Sequence, residues 1–338
     1  MRIRSTRRQI HVLIVFSLVL LLCHSVSQAQ TISSYSVNDK VMMDPLCEQI
    51  QEDIGINVSN LSMGGGVMWT RMTSEAPNIQ ADMSIGVNLE QAMELKKSGL
   101  IQPYKSKEWE KARPEFKDKD GYYYADSLWT AMPIVNTDIL KKKGLSVPTS
   151  WEDLTDPKWK GEIVMPDPMT SSSAYLVVLG FVKLMGEDKA FEFMEKLDKN
   201  VAQYAKSGGA PALLVARGEA AYGITDSTSA YARINEGFPI ALAVPKEGVP
   251  YLLTTNVIFA STKDPERLAA CKKVIDHLGT LKIQNMIGKY RPIVANPEAV
   301  GLEKTFGKIT LLKDFPPEWI VENKTRLQKK WQEKFGRK

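Results

Sequence analysis

A period of two and a period near 3.6 take turns along this chain, and the order in which they alternate predicts its elements. Thr31 to Ser36 reads as a strand, Lys40 to Asp53 as an amphipathic helix closed near Gly55, and Ile56 to Leu61 as a second strand. Gly64-Gly65-Gly66 predicts a turn, followed by a helix over Val67 to Glu75 and a short strand at Met83 to Ile85. A further helix runs from Leu89 to Ser98, where Gly99 stops it. Tyr122 to Ala125 and Leu128 to Ile134 predict two adjacent extended segments, and Thr149 to Leu154 a capped short helix. A second block then places strands at 162–165, 201–205, 220–224 and 240–244, with helices at 171–185, 187–198, 210–217 and 227–236. After Pro250, Leu252 to Ala260 is extended again, and helices follow from Pro265 to Leu281 and onward. Strands alternating with helices predict a largely parallel sheet covered by helices. Two such blocks with a late extended return predict two lobes, the first of them discontinuous.

The first 29 residues stand apart from this pattern. Arg2, Arg4, Arg7 and Arg8 precede the apolar run Val12 to Leu22, and Ser27-Gln28-Ala29 supplies small residues where a signal peptidase cuts. The run is too short to span a bilayer as a mature helix. The expectation is a cleaved secretory leader and an exported protein. Removing 29 residues from 338 leaves 309, enough for two domains of ordinary size.

The leader also carries much of the charge imbalance. Of 44 Lys and Arg, four lie in the leader, leaving 40 against 39 Asp and Glu. A near-neutral mature chain gives nucleic-acid binding no electrostatic support. Of three histidines only His277 lies beyond the leader, and of three cysteines only Cys47 and Cys271. Two cysteines make no disulfide framework; they read either as a pair joined in an oxidising compartment or as buried and unpaired, the second being favoured. The basic end from Lys324 reads as the solvated face of a terminal helix whose stripe is Leu327, Trp331 and Phe335.

Candidate chemistry concentrates where strands hand over to helices. Ser171, Ser172 and Ser173 open a helix after the turn cluster Pro166-Asp167-Pro168. Unpaired first-turn N–H groups, with the helix dipole behind them, suit an oxyanion, and serine hydroxyls beside them add donors. The plain alternative is a serine cap with nothing bound. Ser207-Gly208-Gly209 repeats the pattern before Ala210-Pro211, and Lys206 adds a positive charge. Asp226, with Thr225 and Ser227, follows the strand at 220–224, where open α/β sheets place ligands. It reads either as an acceptor for sugar hydroxyls or an ammonium, or as the cap of helix 227–236. Glu247 is a weaker polar candidate, Trp129 and Tyr35 are candidates for stacking, and Arg291 reads as a surface-loop residue. The glycine run at 64–66 lacks the lysine and hydroxyl residue of a phosphate loop.

Several segments together resemble the type II periplasmic solute-binding proteins of ABC importers, in the group that contains ferric iron, 2-aminoethylphosphonate and sugar-phosphate binders. They are Ala81-Asp82, Trp151-Glu152-Asp153-Leu154, Asp156-Pro157-Lys158-Trp159-Lys160-Gly161, Lys206-Ser207-Gly208-Gly209-Ala210-Pro211, and Arg217-Gly218-Glu219-Ala220-Ala221-Tyr222-Gly223-Ile224. The resemblance implies an α/β fold of two lobes, each a mostly parallel sheet covered by helices, joined by a two-strand hinge and closing on a ligand between them. Lobe 1 is expected at 30–133 with 251–300, lobe 2 at 134–250, and packing helices at 301–338. It implies cleft positions at Ser34, Tyr35, Ser36, Gly64 to Gly66 with Gly65 at their centre, Gly86, Ser171 to Ser173, Ser207, Gly208 and Asp226. It also implies a periplasmic monomer that hands a small anionic organic ligand to a membrane permease, with no cofactor. Iron binders of the group place adjacent tyrosines after the strand that here ends at Ile224, whereas this chain reads Thr225-Asp226-Ser227-Thr228-Ser229-Ala230-Tyr231. Serine hydroxyls and helix starts suit a phosphate or phosphonate better than ferric ion. An enzyme is not expected, because the chain has no Gly-x-Ser-x-Gly elbow, Ser-x-x-Lys, His-Glu-x-x-His or Cys-x-x-Cys pattern.

Overall fold

The computed structural model describes residues 30–302, 307 and 309–336, so the leader expected at 1–29 lies outside the described residues. In chain order the elements are β1 (Gln30–Ser36), α1 (Lys40–Ile54), β2 (Ile56–Ser62), α2 (Gly65–Glu75), β3 (Met83–Asn88), α3 (Leu89–Lys97) and β4 (Ile101–Gln102). Next come β5 (Tyr124–Asn136), α4 (Thr137–Lys143), β6 (Ile163–Pro166), α5 (Ser172–Met185), α6 (Glu187–Asp198), β7 (Val201–Ala205) and α7 (Ala210–Ala216). The chain continues through β8 (Tyr222–Asp226), α8 (Ser227–Asn235), β9 (Ile240–Leu242), β10 (Tyr251–Phe259), α9 (Pro265–Gly279), α10 (Leu281–Ile287), β11 (Ile293–Val294) and α11 (Pro317–Phe335). Among the described residues, no helix is long and apolar enough to cross a membrane.

One sheet runs in the order β2-β1-β3-β10-β5-β8-β6-β7. Its outer pairs β1–β3, β6–β7 and β6–β8 are parallel, as alternation with helices requires. Its centre differs from the expected mostly parallel arrangement. β10 lies antiparallel to both β3 and β5, and β5 antiparallel to β8. The two extended segments expected around Asp126 and Ser127 are a single strand, β5, buried along its whole length. Its residues up to Thr130 pair with β10, and those from Ala131 pair with β8 and β9. One strand therefore serves both arms of the sheet, and the segment between β9 and β10 passes alongside it.

Each arm has its own core. Trp151, Leu154, Trp159, Leu176, Phe181, Phe193 and Tyr222 pack on the β6–β8 side. Met42, Leu46, Ile85, Trp109, Leu128 and Val274 fill one face of the β1–β3 side, and Met68, Met72, Leu95 and Phe259 fill another. α11 joins the β6–β8 core through Ile320, Leu327 and Trp331. Its basic face is solvent-exposed as expected, and Arg326 and Lys330 on it pair with Glu187. Cys47 and Cys271 are both free, the first half-buried and the second buried.

Candidate functional site

A cleft of about 850 Å³ opens between the two arms, lined from one side by Asn38, Asp39, Gly64, Gly65, Asn88 and Arg291, and from the other by Ser171 to Ser173, Lys206 to Gly209, Asp226, Thr228 and Ser229. That volume is ordinary for a small-molecule site. Trp129 of β5 also lines it.

Two helix starts face each other across this cleft. In α5 the first amide with an acceptor inside the helix is that of Tyr175, which donates to the Ser171 carbonyl at 3.2 Å. The amides of Ser172, Ser173 and Ala174 come before it, and no side chain caps them. In α2 the Met68 amide donates to the Gly64 carbonyl at 2.9 Å, so the amides of Gly65, Gly66 and Val67 stand in the same position, again uncapped. The expected glycine turn at 64–66 is thus partly helix. Gly65 has a steric reason for its identity, because a Cβ there would lie 2.7 Å from Ser172 Oγ and 3.3 Å from Asn88 Nδ2.

The Ser207-Gly208 loop closes the same corner. A Cβ on Gly208 would sit 2.6 Å from Ser173 Oγ and 3.1 Å from Ser171 Oγ, two hydroxyls that are themselves 2.9 Å apart. The Gly208 carbonyl is fixed by the Thr225 hydroxyl at 2.8 Å and the Asp226 amide at 3.2 Å. Glycine lets the loop backbone approach the serines this closely. Hydroxyls, free amides and the nearby Lys206 make this end of the cleft a donor-rich corner.

The other end carries charge of both signs. Asp226 caps α8, its carboxylate accepting from the Ser229 amide and hydroxyl at 2.8 and 2.7 Å. Asp39 is exposed to solvent in the cleft lining, and partial desolvation there, with Asp226 adding and Arg291 opposing, shifts its carboxyl upward. Arg291 is 5% exposed and donates to the Thr228 hydroxyl and the Asn38 side-chain carbonyl. Burial lowers the Arg291 pKa, against the pull of Asp126, Asp226 and Asp39. Arg291 Nε and Trp129 Nε1 are buried donors without a hydrogen-bond partner among the described residues. Such donors are costly unless something accepts from them.

Of the residues singled out in the sequence, Gly64, Gly65, Trp129, Ser171, Ser172, Ser173, Lys206, Ser207, Gly208, Gly209 and Asp226 come together in the cleft lining. The others take different places. Ser34 Oγ accepts from the Ile85 amide at 3.1 Å and mends the β1–β3 ladder. Tyr35 points away from the cleft, donating to the Glu75 carboxylate at 3.0 Å and packing on Phe259. Ser36 Oγ accepts from the Asn38 amide at 3.0 Å, and Gly86 (φ +99°) leaves room for the Asn38 side chain, 2.3 Å from where a Cβ would stand. Both act on the cleft through Asn38. Thr225 holds Gly208, and Ser227 Oγ accepts from the Thr130 amide at 3.3 Å, where β5 changes partners. Glu247 accepts from the Trp151 amide at 3.4 Å, outside the lining. Asn38, Asp39, Asn88, Thr228 and Ser229 line the cleft without having stood out. Arg291 is a buried cleft residue and not the surface-loop residue its Tyr290-Arg291-Pro292 setting suggests. The one available signal was a lone arginine before proline, which also describes many loops.

Comparison with known proteins places this geometry. A protein of Haemophilus influenzae of uncharacterised role is 36% identical over 217 residues, covering 62% of this chain and 63% of that protein. The spermidine/putrescine-binding periplasmic protein of Salmonella typhimurium is 29% identical over 218 residues, 61% of this chain and 57% of that one. The chain thus spans about three-fifths of the length of these relatives. The solved structure of the periplasmic binding protein AfuA from Actinobacillus pleuropneumoniae, with exogenous fructose-6-phosphate bound, superposes with a TM-score of 0.79 at 29% identity. The match covers 90% of this chain and 98% of that one. The sequence pattern of the bacterial extracellular solute-binding proteins matches residues 79–305. With an α/β sheet of two arms around a ligand-sized cleft, the chain belongs to that family and has the two-lobe fold of its periplasmic members.

Proposed function

We propose that this protein captures a small phosphate ester or phosphonate in the periplasm and delivers it to the membrane permease of an ABC importer. The observation that carries this reading is the pair of uncapped helix starts, at Gly65 and at Ser172, meeting across one cleft. A phosphoryl group seated there would take amides from both walls, hydroxyls from Ser171 to Ser173 and Ser207, and charge from Lys206. Asp39, Asp226, Asn38, Arg291 and Trp129 are then left to select the organic part. Hydroxyl-rich groups suit them, since the carboxylates accept hydrogen bonds. The likeness to a structure holding fructose-6-phosphate agrees with a sugar phosphate.

The magnitudes suffice. Hydrogen bonds to a charged group contribute about 1.5–3 kcal/mol each net, so five supply roughly 7–15 kcal/mol, and micromolar affinity needs about 8. Lost freedom and closure consume part of that. Contacts from both arms mean that the ligand stabilises the closed arrangement, with bending at β5 and the segment beside it.

Ferric ion is the alternative within the same fold. The cleft lining favours it less, because it includes no tyrosine. Among the described residues, no three His, Cys, Asp or Glu side chains converge as a metal group. The deciding experiment is native mass spectrometry of the purified mature protein, followed by thermal shift with fructose 6-phosphate, 2-aminoethylphosphonate, inorganic phosphate, putrescine and ferric chloride. Stabilisation by a phosphate ester or phosphonate is expected. A response to ferric ion or putrescine with none to the phosphoryl compounds would reverse the reading, and turnover of any of them would point to an enzyme.

A further inference from the structure

The helix starts that line the cleft are also tied together directly behind it. Glu90, in the first turn of α3, is 1% exposed, and its Oε1 accepts from the Tyr175 hydroxyl at 2.7 Å. Tyr175 belongs to the first turn of α5 and to the other core. Lys324 of α11 completes the group, its Nζ 3.7 Å from Glu90 Oε1 and 4.5 Å above the Tyr175 ring. Glu90 Oε2 is buried without a hydrogen-bond partner among the described residues. Glu94 stands close enough to Lys324 and Glu90 for each to influence its charge.

These contacts share rigid pieces with the cleft. Ser172 and Tyr175 lie within one turn of α5. On the other wall, the buried Gln91 of α3 donates to the Gly65 carbonyl at 3.0 Å, bolting the α2 start to the α3 start. A motion that parts Ser172 from Gly65 therefore parts Tyr175 from Glu90. The geometry points to a closure latch: the buried Tyr175 and Glu90, with the half-buried Lys324 beside them, form a polar clasp that engages when the arms close and stabilises the closed form without touching the ligand. Lys324 supplies the counter-charge that lets Glu90 stay buried, and the C-terminal helix thereby senses both arms. The latch rests on the reading that the arms close over a ligand, and it holds whichever ligand that is.

A disulfide-trapping rate tests it without any ligand. The 2.7 Å approach of a Gly65 Cβ to Ser172 Oγ puts the Cβ atoms of G65C/S172C within disulfide range in the closed form. The native thiols take little part, because burial pushes Cys47 up to about 11 and Cys271 up to about 12. Under a fixed oxidant, adding Y175F or E90Q to G65C/S172C is expected to slow cross-linking about tenfold, the worth of one hydrogen bond to a carboxylate. K324M, which keeps the Tyr175–Glu90 bond, is expected to slow it about threefold. Circular dichroism confirms that each variant is folded, and any one folded variant among Y175F and E90Q decides the matter. Equal trapping rates in the parent and those variants overturn the latch. With fructose 6-phosphate as probe, Y175F is also expected to dissociate about tenfold faster with association unchanged. If fructose 6-phosphate fails to bind the parent, the ligand assignment falls while the trapping rates still decide the latch.

Discussion

α5 and α8 both follow parallel strands of the same arm, both begin with serines, and both point their first turns into one cleft, yet they end up as different devices. α8 is finished by its own sequence, because the Asp226 carboxylate takes the Ser229 amide and hydroxyl. α5 is left unfinished, because no side chain answers the amides of Ser172, Ser173 and Ala174. The difference lies in one residue at the cap. A carboxylate there neutralises the start internally and presents negative charge, whereas a hydroxyl leaves the start donor-rich. Two neighbouring helices thus give one cleft an end for an anion and an end for its hydroxylated remainder.

The contrast can be broken most severely at α5. Replacing Ser171, Ser172 and Ser173 together with alanine should weaken fructose 6-phosphate binding more than tenfold by calorimetry, while the unfolding midpoint barely moves, since no cap is lost. Unchanged affinity would remove the helix-start cradle. Gly208→Ala should come next, at about tenfold, because the new methyl drives into Ser173 Oγ and the loop must retreat by some tenths of an ångström. At α8 the expected pattern is different. Asp226→Ala should lower stability by about 1 kcal/mol as well as affinity. Asp226→Asn should keep the cap and reduce only the preference for the sugar ester over inorganic phosphate, by about fivefold. Competition between the two ligands separates these outcomes, and an equal loss for both would erase the distinction between the ends.

Two smaller effects sharpen the electrostatic side. The Asp39 carboxyl, exposed to solvent in the cleft lining, has a pKa shifted upward by partial desolvation first and Asp226 second, against Arg291. Its contribution to stability is therefore fully present below the unfolded carboxylate value near 3.9 and is lost as pH rises through the raised folded value. Asp39→Asn should flatten that part of the stability–pH curve. A curve superimposable on the parent's would show that Arg291 already balances the charge. Lys206→Ala should cost about threefold in affinity, and the loss should shrink as salt is raised.

Much of this was legible from spacing. Strand–helix alternation located β7, α5 and α6 almost to the residue, because Gly186 and the polar breaks around it punctuate strongly periodic runs. The serine start was readable for the same reason. The through-strand was not, because Asp126 and Ser127 interrupt an apolar run, and local pattern cannot show that Asn256 hydrogen-bonds Asp126 from a strand 130 residues away. Ser34, Ser36 and Ser227 misled because a hydroxyl that mends a backbone donor looks, in sequence, like one waiting for a ligand. Arg291 is not legible as a cleft residue because its partners, Thr228 and Asn38, lie 63 and 253 residues away.

β5 gives the molecule a vulnerability of its own. Side chains on a strand alternate faces, so adding or deleting one residue inverts every position beyond the change. In an ordinary strand that damage stops at a single layer. Here Leu128 and Ile134 sit on the same backbone but in separate interiors, so one frame slip near Thr130 would misfile the packing of both arms together. Length variation among relatives should accordingly avoid Tyr124–Asn136 and collect at exposed turns such as Lys119-Asp120, where the backbone carries no such shared phase.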